Sequence, residues 1–469
     1  MHRSWERSIL VSCVVWMAGV LTAGVPAWGA GRGAGSALPV VQSRNLARAA
    51  AAPVGGRLRL ENVRKPDTGE SAAFVLERFE VFTADAKVTV HGPHGDEVLA
   101  PPANAYFRGT VAGQPESRVF LAVLPDGTAQ GLVNEGEDTY LIGGDGQPAV
   151  KAGRRAPLAM RRIDPTALKA SNGEGFGCAN EQLPGRSTIE GLDFPSEAPA
   201  GITTKIAAYK ARVAIETDYE FYAKFNSSTT ASTYIGNLIG YASTVYQAEI
   251  NTSLAVQSIS LWTTASDPWN QTVSSTCKLM EFGRYWNLNN AGVSRTIAHF
   301  LSGRPGGGIA WTGALCSTGF GAAASCSGLP TDAPWGGGYG FTGGITGTFN
   351  IATPTVVWDI MSVAHEIGHN FNSPHTHCYN GIGGDANPVD QCRSGESGCY
   401  IGTQLLPGPA GVRSGTLMSY CHLLSGSYGN IAMTFGTSHP YGVQPGRVPS
   451  RMSSYVSAVA AGNPACLAP

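Results

Sequence analysis

The stretch from Val356 to His375, VVWDIMSVAHEIGHNFNSPH, limits what this chain can fold into more than any other. Residues four apart on a helix share a face, so a helix here sets His365 and His369 side by side with Glu366 next to them. Two converging imidazoles suit a zinc ion, and a catalytic zinc takes three protein ligands and keeps one position open for water. The chain must therefore return a third ligand soon after His369. Asn372, which tolerates positive φ, is placed to end the helix, and Pro374 prevents it from resuming. His375 then turns toward the ion. His377 is a rival third ligand, but its spacing is wrong for the pattern, and it is expected in an exposed loop. The alternative is a chance HExxH on a buried helix, and a third histidine at the required spacing makes chance a poor explanation in a chain with ten histidines.

The rest of the composition excludes several classes of partner. Basic and acidic residues nearly cancel at 32 and 33, with no long run of either sign, so neither nucleic acid nor an anionic membrane surface is expected. Charged residues are only 14% while glycine reaches 61, a mix for a loop-rich protein rather than a helical bundle. Arg3 and Arg7, the apolar run from Ile9 to Val25 and the small residues Ala27, Gly29 and Ala30 have the layout of a secretory signal peptide, residues 1–30. Secretion follows as an expectation, to the exterior or to a periplasm. Ten cysteines are present, and losing Cys13 with the signal leaves an odd nine, which suggests disulfides plus one thiol with another task. Cys316 with Cys326 and Cys392 with Cys399 are the local pairings expected.

Along the chain, residues 31–142 read as a small antiparallel β domain, with alternating runs such as Phe79-Glu80-Val81-Phe82 between Gly, Pro and Asp. Residues 143–205 read as a linker carrying Arg154-Arg155 and Arg161-Arg162, suited to proteolytic nicking. From 206 to 469 the texture alternates strand and helix: Ala211–Glu216, Leu254–Trp262 and Arg295–Leu301 as strands, Tyr234–Ala248 as a helix. That order predicts an α/β domain with a mixed, mostly parallel sheet.

At this point the chain resembles a known family. HEIGHNFNSPH is similar to the metzincin zinc signature, and SGTLMSY, Ser414 to Tyr420, is similar to the methionine turn of those metalloendopeptidases. The resemblance implies that Met418 lies under the histidines as a structural residue. Gly307 to Cys316, GGIAWTGALC, resembles the edge strand of the reprolysin or adamalysin group, which holds substrate as an added antiparallel strand. Tyr106 to Val133 resembles the reprolysin propeptide, so residues 31–142 would be a β-rich propeptide. Asn372 stands where the signature usually has Gly, and Thr376 and Tyr420 depart from the reprolysin pattern. Tyr420, two after the methionine, is placed as in astacins and serralysins, where the matching tyrosine binds zinc or stabilises the oxyanion; a packed core tyrosine is the alternative.

Cys178, in GFGCANE, is placed to occupy the water position as a fourth zinc ligand, similar to the cysteine switch of metzincin zymogens. An ordinary disulfide is the competing reading. The function expected is a monomeric zymogen that hydrolyses internal bonds of proteins or peptides bound as extended strands, with Glu366 as general base. Calcium binding has no signal in the sequence. The rivals are an inactive zinc-binding adhesion module and a zinc aminopeptidase or amidohydrolase; retention of Glu366 argues against the first.

Overall fold

The computed structural model describes residues 37–143, 157–164, 177–183, 208–272, 274–321, 326–349 and 353–467. The expected signal segment and much of the expected linker lie outside these residues. The first sheet has eight strands, β1 (Val40–Gln42), β2 (Arg57–Arg64), β3 (Ser71–Phe79), β6 (Ala105–Val111), β7 (Gln114–Val123), β8 (Ala129–Glu135), β9 (Asp138–Ile142) and β10 (Arg161–Arg162), in that spatial order. All its pairings are antiparallel except β1 with β2. A short helix α1 (Leu46–Ala50) follows β1.

The second sheet runs β14 (Gly308–Ala310), β15 (Tyr339–Thr342), β13 (Ile297–Leu301), β11 (Tyr209–Thr217), β12 (Thr252–Trp262), β4 (Phe82–Gly92) and β5 (Gly95–Leu99). Its four inner pairings are parallel, and only the two outermost, β14 with β15 and β4 with β5, are antiparallel. The mixed, mostly parallel sheet is therefore present. Its membership is not what the sequence boundaries suggest, because the hairpin β4–β5 leaves the N-terminal sheet and pairs in parallel with β12, Ser258 opposite Lys87 and Trp262 opposite His91.

Among the described residues five more α-helices follow: α2 (Tyr219–Tyr222), α3 (Ser228–Ile250), α4 (Ser275–Asn289), α5 (Val356–Asn370) and α6 (Arg447–Gly462). Among the described residues no helix is long and apolar enough to cross a membrane. Helix α3 begins at Ser227, whose hydroxyl accepts from the Thr230 amide, and stops at Asn251, which takes the left-handed φ of 56°. It is buried on nearly all sides because it lies between the two sheets. Phe79, Tyr106 and Phe120 of the N-terminal sheet share one core with Ile235, Ile239 and Tyr241 of α3. Close approach is possible at Gly240, where a Cβ would lie 2.7 Å from the Phe120 ring. Glu249 near the end of α3 is buried and pairs with Arg118 of β7 at 3.1 Å, while its other oxygen accepts from the amide of Phe435 at 2.9 Å. One carboxylate thus ties the first sheet, α3 and the C-terminal loops together.

Eight cysteines form four disulfides, and the pairing differs from the local guesses. Cys277 joins Cys326, Cys316 joins Cys466, Cys378 joins Cys399 and Cys392 joins Cys421. Cys316 has a φ of 57° and pairs with Cys466 at a sequence separation of 150, so separation in sequence did not decide its partner. Among the described residues Cys178 is the one cysteine left free, and it is buried.

Candidate metal centre

Helix α5 is apolar over most of its length and buried along all of it, from Val356 to Asn370. Asp359 in its first turn accepts from the amides of Thr346 and Gly347 and from the Tyr234 hydroxyl. At the far end the Asn372 amide donates to the His369 carbonyl at 2.8 Å and the Ser373 amide to the Gly368 carbonyl at 3.1 Å. This is a Schellman ending, and Asn372 holds the left-handed φ of 71° that it requires. The reversal brings His375 back to the helix, with its ring centroid 4.7 Å from that of His369 and 5.3 Å from that of His365.

Each of the three imidazoles uses Nδ1 for a partner outside the cluster. His365 Nδ1 faces the Leu417 carbonyl at 2.6 Å, His369 Nδ1 the Ser373 carbonyl at 2.7 Å, and His375 Nδ1 the Glu396 carboxylate at 2.9 Å. Acceptors on Nδ1 fix the tautomer and leave the Nε2 lone pairs pointing inward. Those of His365 and His369 are 3.2 Å apart. Two lone pairs this close repel unless a cation lies between them, and the separation matches the edge of a tetrahedron with arms of about 2.05 Å. His375 Nε2 is buried with no hydrogen-bond partner. The Cys178 sulfur closes the group, 3.3 Å from His369 Nε2, and all four candidate ligand atoms lie within 4.8 Å of one another. The donor set therefore fits zinc. Burial, foremost, pushes the imidazoles toward the neutral form that a metal requires: His365 well below its ordinary value, His369 to about 3 and His375 to about 4.

Around the cluster stand the other residues singled out in the sequence. Glu366 is fully buried; one oxygen accepts from the Cys178 thiol at 3.6 Å and the other has no partner. Burial, foremost, raises its carboxyl well above the usual range. The side chain lies directly under β14, where a Cβ on Gly308 would come 2.1 Å from it. Met418 packs on α5 from below, its sulfur 2.5 Å from where a Cβ on Gly368 would be. The Met418 carbonyl accepts the Thr376 amide at 3.0 Å, which anchors the chain just past His375. The Tyr420 hydroxyl donates to the Cys178 carbonyl at 2.6 Å.

Strand β14 is an edge of the second sheet, and Gly177–Ala179 lies along it. The Gly308 amide donates to the Gly177 carbonyl at 3.1 Å and the Ala179 amide to the Gly308 carbonyl at 2.9 Å, a parallel bridge. Two features differ from the sequence reading or escape it. His377 is not in an exposed loop: it is buried, its ring stacks on that of His375 at 5.4 Å, and its Nε2 faces Glu396 at 2.8 Å. Its place beside rather than in the cluster follows from the turn at 376–378, which points it away from His365. Glu396 was not singled out, since a carboxylate that far beyond the motif obeys no spacing rule. The nearest signal is its position between Cys392 and Cys399, both of which anchor its loop. Burial would raise Glu396, but the hydrogen bonds from His375 and His377 outweigh it and hold the carboxylate well below its ordinary range.

No match is found among curated proteins. Among solved structures, the chain is similar to the crystal structure of metalloproteinase-II from Bacteroides fragilis, at 10% identity and a TM-score of 0.32, over 72% of this chain and 88% of that one. Residues 207–421 match the reprolysin-type model described as metallo-peptidase family M12. Residues 207–421, the segment that carries the three histidines, are thus similar to metallo-peptidase family M12, which supports a zinc metalloprotease.

Proposed function

We propose that this protein is a secreted endopeptidase made as a zymogen, with zinc held by His365, His369 and His375 and its fourth position taken by Cys178 until activation. The observation that carries the reading is the convergence of three inward Nε2 atoms and one buried free thiol beside a buried carboxylate with an unpartnered oxygen. Bound there, zinc would supply a Lewis acid that acidifies water and polarises a carbonyl. Glu366 takes the proton from the attacking water and passes it to the leaving amine. Burial raises its affinity for protons, which helps it hold the proton it takes. Edge strand β14 offers backbone hydrogen bonds to an extended chain, which favours internal peptide bonds over free termini. Tyr420, whose hydroxyl reaches the carbonyl beside the ligand position, is placed to steady a developing oxyanion once the Cys178 segment has left. The resident partners are then substrate chains, and no nucleic acid or membrane surface is called for.

The test is digestion of an unfolded protein by the full chain after nicking between residues 184 and 207, beside its Glu366→Ala variant, with and without a chelator. Chelator-sensitive cleavage at internal bonds, lost by at least about a thousandfold in the variant, is the expected result. Normal turnover by Glu366→Ala refutes the mechanism, and absence of cleavage in both favours a zinc-binding module.

A further inference from the structure

The segment that carries Cys178 also makes a charged contact beside the histidine cluster. Beyond Ala179 it continues along β14: Asn180 Nδ2 donates to Thr312 Oγ1 at 2.8 Å, and Glu181 then lies 3.7 Å from the guanidinium of Arg393. Arg393 follows Cys392, which is bonded to Cys421, so its backbone is tied to the turn that carries Met418 and Tyr420. Its guanidinium lies over the Tyr420 ring, 5.1 Å from the centroid, and its Nε is buried with no hydrogen-bond partner. Among the described residues Glu181 is the carboxylate paired with it. Glu396, three residues on, is held by His375 and His377 instead.

We infer that Arg393 is a specificity-determining residue, reading an acidic side chain of the substrate on the N-terminal side of the scissile bond. This rests on the endopeptidase reading above. The direction follows from strand geometry. Chain running parallel to β14 passes from Cys178, over Gly308 and Glu366, toward Thr312 and Arg393. A substrate added antiparallel, as the family resemblance implies, runs the other way. Glu181 lies three positions from Cys178, so residues over Arg393 then precede the bond held above Glu366 by two or three positions. A guanidinium fixed against an aromatic face, with a spare buried N–H, is a fork for a carboxylate. In the latent chain Glu181 fills that fork.

The experiment is cleavage of paired peptides differing only in Glu or Gln two and three residues before the cut, by the full chain nicked with trypsin and then freed of trypsin activity. We expect the parent to favour Glu by about tenfold in kcat/KM, the worth of one charge-assisted contact. Arg393→Gln brings the Glu-to-Gln ratio to about one, and Arg393→Glu inverts preference toward Lys at the same position. A parent without acidic preference, or an Arg393→Gln variant that keeps it, overturns the inference while the endopeptidase reading stands. A parent that cuts no peptide of any composition overturns both.

Discussion

A single backbone angle at Asn372 decides whether His375 reaches the other two histidines. Its φ of 71° suits Gly and Asn and strains any residue with a bulkier Cβ environment, and its side-chain oxygen and carbonyl also accept from Arg451. Asn372→Ala is expected to lose about 1–2 kcal/mol of stability and to weaken zinc retention, read by thermal unfolding and chelator competition; Asn372→Gly should keep the turn. Glu396 acts one step further out. Its carboxylate orients the His375 ring, and loss of such a partner costs metal affinity, so Glu396→Ala should weaken zinc binding about 10–100-fold with secondary structure intact. Chelator competition on the full chain checks this, and unchanged affinity would make Glu396 merely a tether for its loop. The three histidines, Glu366 and the turn at Asn372 were legible in sequence because their spacing is set by helix geometry. Glu396 and Arg393 were not, because a disulfide-bonded loop brings them in and no local period records it.

Strand β11 shows how an interior position can make stability depend on pH. Glu216 is buried and accepts from the indoles of Trp262 and Trp286, at 2.8 and 3.0 Å. Burial, foremost, raises its carboxyl to about 7, partly offset by those hydrogen bonds. The folded state thus binds its proton more tightly than the unfolded chain, and the stability this lends is complete below about pH 4.5 and lost as pH rises through 7. Glu216→Gln removes the titration. Relative to the parent, the variant should gain up to about 3 kcal/mol between pH 4.5 and 8, beside a pH-independent cost for one unpaired indole. Urea midpoints across that range measure it, and a flat difference would mean that Glu216 does not titrate in the fold. The strands β11, β12 and β13 and the helix α3 could be read from periodicity. The crossing of β4–β5 into the second sheet could not, since an alternating run such as Lys87 to Val90 fits the edge of either sheet equally well.

The N-terminal segment and residues 207–421 share a core, the β4–β12 ladder and the Arg118–Glu249 pair. Cutting the chain between residues 184 and 207 severs a covalent link but none of these contacts. The two pieces are therefore expected to co-elute on gel filtration after nicking and to separate only with denaturant, whereas prompt separation would show the shared core to be weaker than its burial implies. On the zymogen reading proposed above, release of the thiol at Cys178 is then a local peeling event rather than departure of a domain. The paired strands point to a last consequence. The N-terminal half touches both margins of the seven-stranded sheet, with the β4–β5 hairpin along β12 and Gly177–Ala179 along β14. An unguarded margin recruits any extended polypeptide, native or misfolded. If activation frees the β14 margin as proposed, the molecule holds one margin permanently and the other conditionally, and so separates the strand-accepting groove it needs from the one that would make it stick to copies of itself.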